Sequence, residues 1–166
     1  MLVISDTGPL RYLIELGIID VLPELYGSAS LWTTPAVIHE MSLPHFPGSV
    51  QTWAKSPPSW LQIEPPQVLR FLDQLHDGEA SAISLAAERA AVLVLIDERD
   101  GTAVARDLGI ATYGTLGVLA LAGAKGKINF NRTVERLTST TLFRSTPQVI
   151  ERAQMRFEEL LRDFGT

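Results

Sequence analysis

Cysteine is absent from the 166 residues, and histidine occurs only as His39, His45 and His76. Without cysteine there is no disulfide, no thiolate metal site and no thiol nucleophile. Three histidines are too few for an imidazole-rich zinc centre. Any metal would therefore be a hard cation held by oxygen, magnesium or manganese. Basic residues are also in short supply: 14 Lys and Arg against 19 Asp and Glu leave a net charge of −5. Phosphate binding usually leaves a basic footprint, so this balance counts against a nucleic-acid partner. The objection weakens if several acids sit in a metal site, where a cation neutralises them, or if basic surface is local.

Long apolar runs are lacking too. Gly109–Ala124, the stretch poorest in charge, is broken by four glycines and is a weak membrane candidate. Met1–Ile4 is apolar but interrupted at once by Ser5, Asp6 and Gly8, unlike a signal peptide. A soluble cytoplasmic protein with no membrane partner is expected. Charged residues make up only 20% and apolar residues 46%, which excludes a disordered chain. The mean hydropathy of +0.14 is high enough to suggest an apolar face beyond the core, and a homodimer is expected.

What is present reads as apolar strands alternating with helical patterns, the mark of parallel βαβ units. Strands are predicted at Leu2–Ile4, Leu31–Thr33, Ala91–Ile96 and Ile110–Tyr113, with an edge strand at Trp60–Ile63 between proline pairs. Ala91–Ile96 contains no polar residue, as expected of a strand covered on both faces. Helices are predicted at Leu10–Leu16, Ile18–Leu25, Ala36–Met41, Gln67–Leu75, Glu79–Ala90, Thr102–Leu108 and Thr115–Lys125, with one turn near Val50–Lys55. Thr34-Pro35 and Thr146-Pro147 are cap-plus-proline helix starts, and Gly109 and Gly126 are natural stops. The last helix carries Ile150, Ala153, Phe157, Leu160, Leu161 and Phe164 along one stripe.

Four acids stand out against this background. Asp6 follows the first strand and Asp97 follows Ala91–Ile96, both at carboxyl ends, where open parallel sheets bind ligands. Glu40 tilts toward the apolar side of its helix, and Glu79 heads the inward stripe Ile83, Ala86, Ala87 and Ala90. Each has an ordinary explanation: a helix cap for Asp6, a strand end for Asp97, a surface acid for Glu40, a first-turn acid for Glu79. Together they suggest carboxylates converging on one or two divalent cations, because buried carboxylates are costly unless paired or metal-bound. Such a site hydrolyses phosphodiesters without a Cys, His or Lys nucleophile.

These residues carry a resemblance. VISDTGPL resembles the opening of PIN-domain proteins, and TTPAVIHEM resembles their next motif, an acid late on a short helix. DGEASAISLA, VLIDERDGTAVARDLGI and YGTLGVLALAGAKG are similar to a prokaryotic branch related to VapC-type toxin ribonucleases. The resemblance, running from Leu2 to Ile128, implies a three-layer α/β/α sandwich around a central parallel sheet. It also implies a Mg²⁺- or Mn²⁺-dependent ribonuclease with Asp6, Glu40, Glu79 and Asp97 as catalytic metal ligands, and a protein antitoxin as partner. The usual toxin has aspartate where Glu79 stands and ends near the last short strand. Residues 1–128 are thus read as the PIN-like domain. Residues 129–166 are read as a helical extension packing on it or on a dimer partner. Asp100 competes with Asp97 for the fourth position, and Asp97 is preferred as nearer the strand end.

Other features have plainer readings. Arg99 and Arg106 flank the site and could contact phosphate, but surface arginines are common. Trp32, Trp53 and Trp60 could stack bases, yet Trp32 lies in an apolar strand and reads as core; His39 reads as a surface residue. The glycines of GTLGVLALAGAKG contain no dinucleotide fingerprint and suit close helix packing. The competing reading is a PIN-like RNA-binding or protein-interaction module that does not cleave. A magnesium-dependent phosphatase has no phosphoacceptor motif behind it.

Overall fold

Val3–Ser5 (β1) and Leu93–Leu95 (β4) are each three successive buried residues. Side chains alternate along a strand, so both faces of both strands must be covered. The computed structural model describes residues 1–165. With Leu31–Thr33 (β2), Gln62–Ile63 (β3) and Ala111–Tyr113 (β5), these strands form one sheet of order β3-β2-β1-β4-β5. Every neighbouring pair is parallel. Parallel strands need crossovers, and nine helices are found among the described residues. They are α1 (Thr7–Glu15), α2 (Val21–Tyr26), α3 (Pro35–Met41), α4 (Gly48–Lys55), α5 (Asp77–Glu88), α6 (Arg99–Asp107), α7 (Thr115–Ala124), α8 (Phe130–Thr140) and α9 (Pro147–Phe164). The result is an α/β sandwich with a central parallel sheet.

Local chemistry explains most boundaries. The Thr34 side chain accepts the N–H of Val37 at 3.3 Å, and Pro35 opens α3 with its φ already set. Thr146 and Pro147 do the same for α9. Gly109 and Gly126 follow α6 and α7 at φ 75° and 69°, a conformation disfavoured for other residues.

The C-terminal helices α8 and α9 pack on α7 of the same chain. Phe130 of α8 stacks on Phe157 of α9 with ring centroids 4.5 Å apart. Gly123 makes this approach possible. A Cβ there would stand 2.7 Å from the Cβ of Phe130 and 3.1 Å from the Phe157 ring.

The sequence pattern misleads in several places. Val92 and Ala90 are exposed where a covered strand and an inward helix stripe are expected, and α4 is eight residues long rather than one turn. Gln67–Leu75 is not a helix. The N–H groups of Gln67 and Val68 go to the Glu88 carboxylate at 2.8 and 2.7 Å, and that of Arg70 goes to the Ser84 hydroxyl at 2.9 Å. Side chains of α5 take these N–H groups and hold the segment in a non-helical course, and Phe71 at φ 67° breaks helical geometry outright. The stripe on α9 stops at Leu160, since Leu161 and Phe164 are 43% and 49% exposed. Trp32 is half-buried rather than core, with the Arg89 guanidinium 5.4 Å from its ring centroid.

The stacked pair gives a direct test of the C-terminal packing. Phe130→Ala is expected to cost about 3 kcal/mol in urea unfolding, because it removes a buried ring beside Gly123. Leu161→Ala is expected to stay within about 0.5 kcal/mol of the parent. Equal losses from the two would contradict this packing.

Candidate active site

The strand register decides where the acids go. Ser5 pairs with Leu95, and the N–H of Asp6 reaches Leu95 O at 2.9 Å. Asp6 and Asp97 therefore leave the sheet at the same carboxyl edge. The strand order reverses there, β1 being flanked by β2 and β4, and such switch points open a crevice. Glu40 arrives from the last turn of α3 and Glu79 from the first turn of α5. All four carboxylates line one cleft of about 1140 Å³. Asp100 does not; it is exposed and lines a smaller neighbouring cleft of about 550 Å³, which Glu79 also borders.

Asp6 stands at the N-cap position of α1, yet its side chain makes no capping hydrogen bond. It is 3% exposed, and Oδ1 has no partner. Burial lifts its carboxyl from the ordinary 3.8 to about 8. The Thr7 N–H opposes that rise, while the charges of Glu79, Glu40 and Asp97 add to it. Glu79 is 6% exposed, takes the His76 N–H on Oε2 at 3.2 Å, and leaves Oε1 without a partner. Its carboxyl is also raised, chiefly by burial, with the His76 N–H pulling the other way. Asp97 caps α7, accepting the Thr115 N–H at 2.7 Å and its hydroxyl at 2.6 Å. Burial still leaves the Asp97 carboxyl raised against those two hydrogen bonds. Glu40 accepts the Thr7 hydroxyl at 3.0 Å. Gly78 is what lets α5 come so close: a Cβ there would meet Glu40 Oε2 at 2.5 Å and Asp6 Oδ1 at 3.6 Å.

A family profile of the PIN domain matches residues 2–159. The chain belongs to the PIN domain family. That family is typically one of metal-dependent nucleases. The PIN match extends past Ile128 and takes in α8 and most of α9. No curated protein and no solved structure matches the chain.

In this PIN domain the donor set suits a hard cation. Every acid at the edge offers oxygen, and two buried oxygens, Asp6 Oδ1 and Glu79 Oε1, lack partners. Among the described residues, no three Asp, Glu or His side chains lie close enough together to hold one ion as they stand. The fit therefore rests on donor chemistry and the two orphaned oxygens, not on a finished ligand cage.

Sequence reasoning passed over several groups that line the same cleft. Glu98 sits beside Asp97 in the run DERD and raises the carboxyls of Glu79 and Asp97 by its charge. The adjacent acids were a visible signal. His76, Arg144 and Arg152 also line it, and no local pattern marks them.

The buried acids make the metal-free PIN domain sensitive to pH, and the sign follows from Asp6. Unfolded, it loses its proton near 3.8; folded, it holds it to about 8. Between those values the folded state binds more protons, so stability falls as pH rises through that window. Glu79 and Asp97 act in the same direction. In chelator-treated protein, urea unfolding should show a loss on the order of a few kcal/mol from the acid end to the alkaline end. Asp6→Asn should flatten that fall. A slope the substitution leaves untouched would mean Asp6 ionises normally.

Proposed function

We propose that the chain is an endoribonuclease that hydrolyses RNA phosphodiester bonds with Mg²⁺ or Mn²⁺ bound at Asp6, Glu40, Glu79 and Asp97. The observation that carries this reading is the pair of orphaned carboxylate oxygens, Asp6 Oδ1 and Glu79 Oε1, buried at the switch point of the sheet. A buried carboxylate left without a partner is destabilising, and a hard cation is the partner its chemistry suits. Membership of the PIN domain family agrees with it.

The bound ion would supply a water of lowered pKa and charge stabilisation at the leaving oxygen. The protein's own groups do the rest. The Thr7 hydroxyl orients Glu40, and Thr115 fixes both oxygens of Asp97. Such outer hydrogen bonds aim carboxylates and restrict their rotation. The His76 N–H holds Glu79 Oε2 and leaves Oε1 for a ligand. The His76 side chain also lines the cleft beside Glu79.

A role as the toxin of a toxin–antitoxin pair, with a protein antitoxin and a homodimeric state, belongs to the same proposal. No helix among the described residues is long and apolar enough to cross a membrane. The second reading is a PIN-like RNA-binding or protein-interaction module that does not cleave. It draws on one observation, that no three acids stand ready as a ligand set.

Cleavage of single-stranded RNA in Mn²⁺ separates the two. Wild type should cut, and Asp6→Asn should lose at least about a hundredfold in rate, since it keeps the shape but removes the charge that holds the cation. Millimolar Mn²⁺ should raise the melting temperature of wild type and not of Asp6→Asn. Asn caps helices about as well as Asp, so a purely capping Asp6 predicts equal cleavage and equal melting. Equal behaviour of the two proteins would sink the nuclease assignment.

A further inference from the structure

One wall of the cleft comes from the far end of the chain. The segment between α8 and α9 is pinned at both ends. The Thr141 hydroxyl donates to Leu137 O at 2.6 Å and accepts the Phe143 N–H at 3.1 Å, and Thr146 caps α9. Between these anchors the residues alternate. Phe143 is buried and meets the Tyr12 ring edge-on at 5.1 Å, while Leu142 and Arg144 on either side of it are exposed. Both line the cleft, as does Arg152 on α9, next to the buried Ala153. From a second segment α6 presents Arg99, Thr102 and Arg106 at the spacing of one helix face, and all three line the cleft as well.

Four exposed guanidiniums from two segments thus border the cleft whose floor holds the carboxylates. Among the described residues, none of the four is in an ion pair. Arg106 donates to the Thr112 hydroxyl at 3.3 Å and Arg144 to the carbonyl of Phe143 at 3.2 Å, contacts that leave their charge uncompensated. The cleft as a whole lines five arginines against five acids, but the four free arginines stand apart from the floor carboxylates, and once a bound cation neutralises that floor they leave a polyanion's footprint. A strand with phosphates spaced along it matches cations spread over two segments of the cleft better than one small anion does. Leu142, 65% exposed beside Arg144, adds an apolar surface, and a guanidinium plane can stack on a base.

We infer that Arg144 and Arg152, carried by the α8–α9 segment and the start of α9, hold the phosphates that flank the scissile one in a single-stranded RNA. Arg99 and Arg106 line the same cleft from α6. The identity of the strand rests on the nuclease reading above; the wall itself does not.

The test reads binding separately from cleavage. A short fluorescein-labelled single-stranded RNA of mixed sequence is titrated by anisotropy against full-length chain carrying Asp6→Asn, so that the strand survives. Arg144→Ala and Arg152→Ala in that background should each weaken binding about tenfold at low salt. Each should also lower the slope of log affinity against log salt by about 0.7. Arg152→Lys should restore most of the salt slope, and melting curves should not move, because neither side chain carries a structural ion pair. Arg162→Ala, exposed on α9 outside the cleft, is the control for net charge. Unchanged binding by the Arg144→Ala, Arg152→Ala double variant would overturn the inference even if wild type cleaves RNA, and would leave the wall to an acidic protein segment. A loss as large from Arg162→Ala would overturn it too. If the two arginines govern binding but wild type never cleaves in Mn²⁺, the wall stands and the nuclease reading falls. Absence of RNA binding by the parent chain would remove both.

Discussion

In a parallel pair both strands end at the same edge, so the residues that follow them are forced into one crevice. The pairing of Ser5 with Leu95 applies this to Asp6 and Asp97, far apart in sequence and adjacent at the edge of β1 and β4. The remaining geometry follows from keeping that pair central. With β2 on one side of β1 and β4 on the other, helices leave the edge in both directions. The starts of α1, α5 and α7 and the end of α3 then gather around it. Gly78 and Gly123 serve the same constraint at different distances. The first lets α5 approach the acids, and the second lets α8 and α9 close on α7, which carries the segment 141–146 to the cleft.

Much of the fold was legible because it is local. The apolar run 91–96 announced a strand covered on both faces, which holds for Leu93–Leu95 although Val92 before it is exposed, and the Thr-Pro pairs announced helix starts at 35 and 147. Where the reading failed, the deciding contacts were distant. Helical periodicity in Gln67–Leu75 is real, but Glu88 and Ser84, more than a dozen residues away, capture its N–H groups. Nothing in the segment itself reveals those acceptors. The stripe on α9 failed for a related reason: it runs on past the point where α7 ends, so Phe164 lies against Lys125 at the rim, 5.2 Å from its ammonium, rather than in the core.

The acids were easier to find than the arginines, and the asymmetry has a cause. A carboxylate placed after a strand or on an inward helix stripe contradicts its surroundings, and that contradiction is visible in one dimension. Glu79 in line with Ile83 and Ala86 is such a case, and it is buried. An exposed arginine contradicts nothing. Arg144 and Arg152 acquire meaning only when the chain folds back and sets them beside residues more than a hundred positions earlier. Arg99 and Arg106 were noticed and set aside for the same reason. What distinguishes all four is the cleft they share and the absence of acidic partners, and both are properties of the folded chain.

The cleft sets opposite charges close together without letting them neutralise one another. The floor acids take their hydrogen bonds from Thr7, Thr115 and the His76 N–H, none of them cationic side chains. The four arginines, for their part, find hydroxyls, carbonyls or solvent. Had Arg99 or Arg144 paired with Asp6 or Glu79, the fold would have gained a satisfied ion pair at the loss of both surfaces. Keeping them apart has a cost on each side, since burial and mutual repulsion both penalise the floor carboxylates and the wall cations are left without anionic partners. Those two costs cannot relieve each other within the chain, but one ligand combination relieves both: a divalent cation for the floor and a polyanion for the walls. A cation that neutralises the floor removes its remaining negative charge from the path of a phosphate, so on the proposed reading binding of either component favours the other. Such coupling is thermodynamically reciprocal.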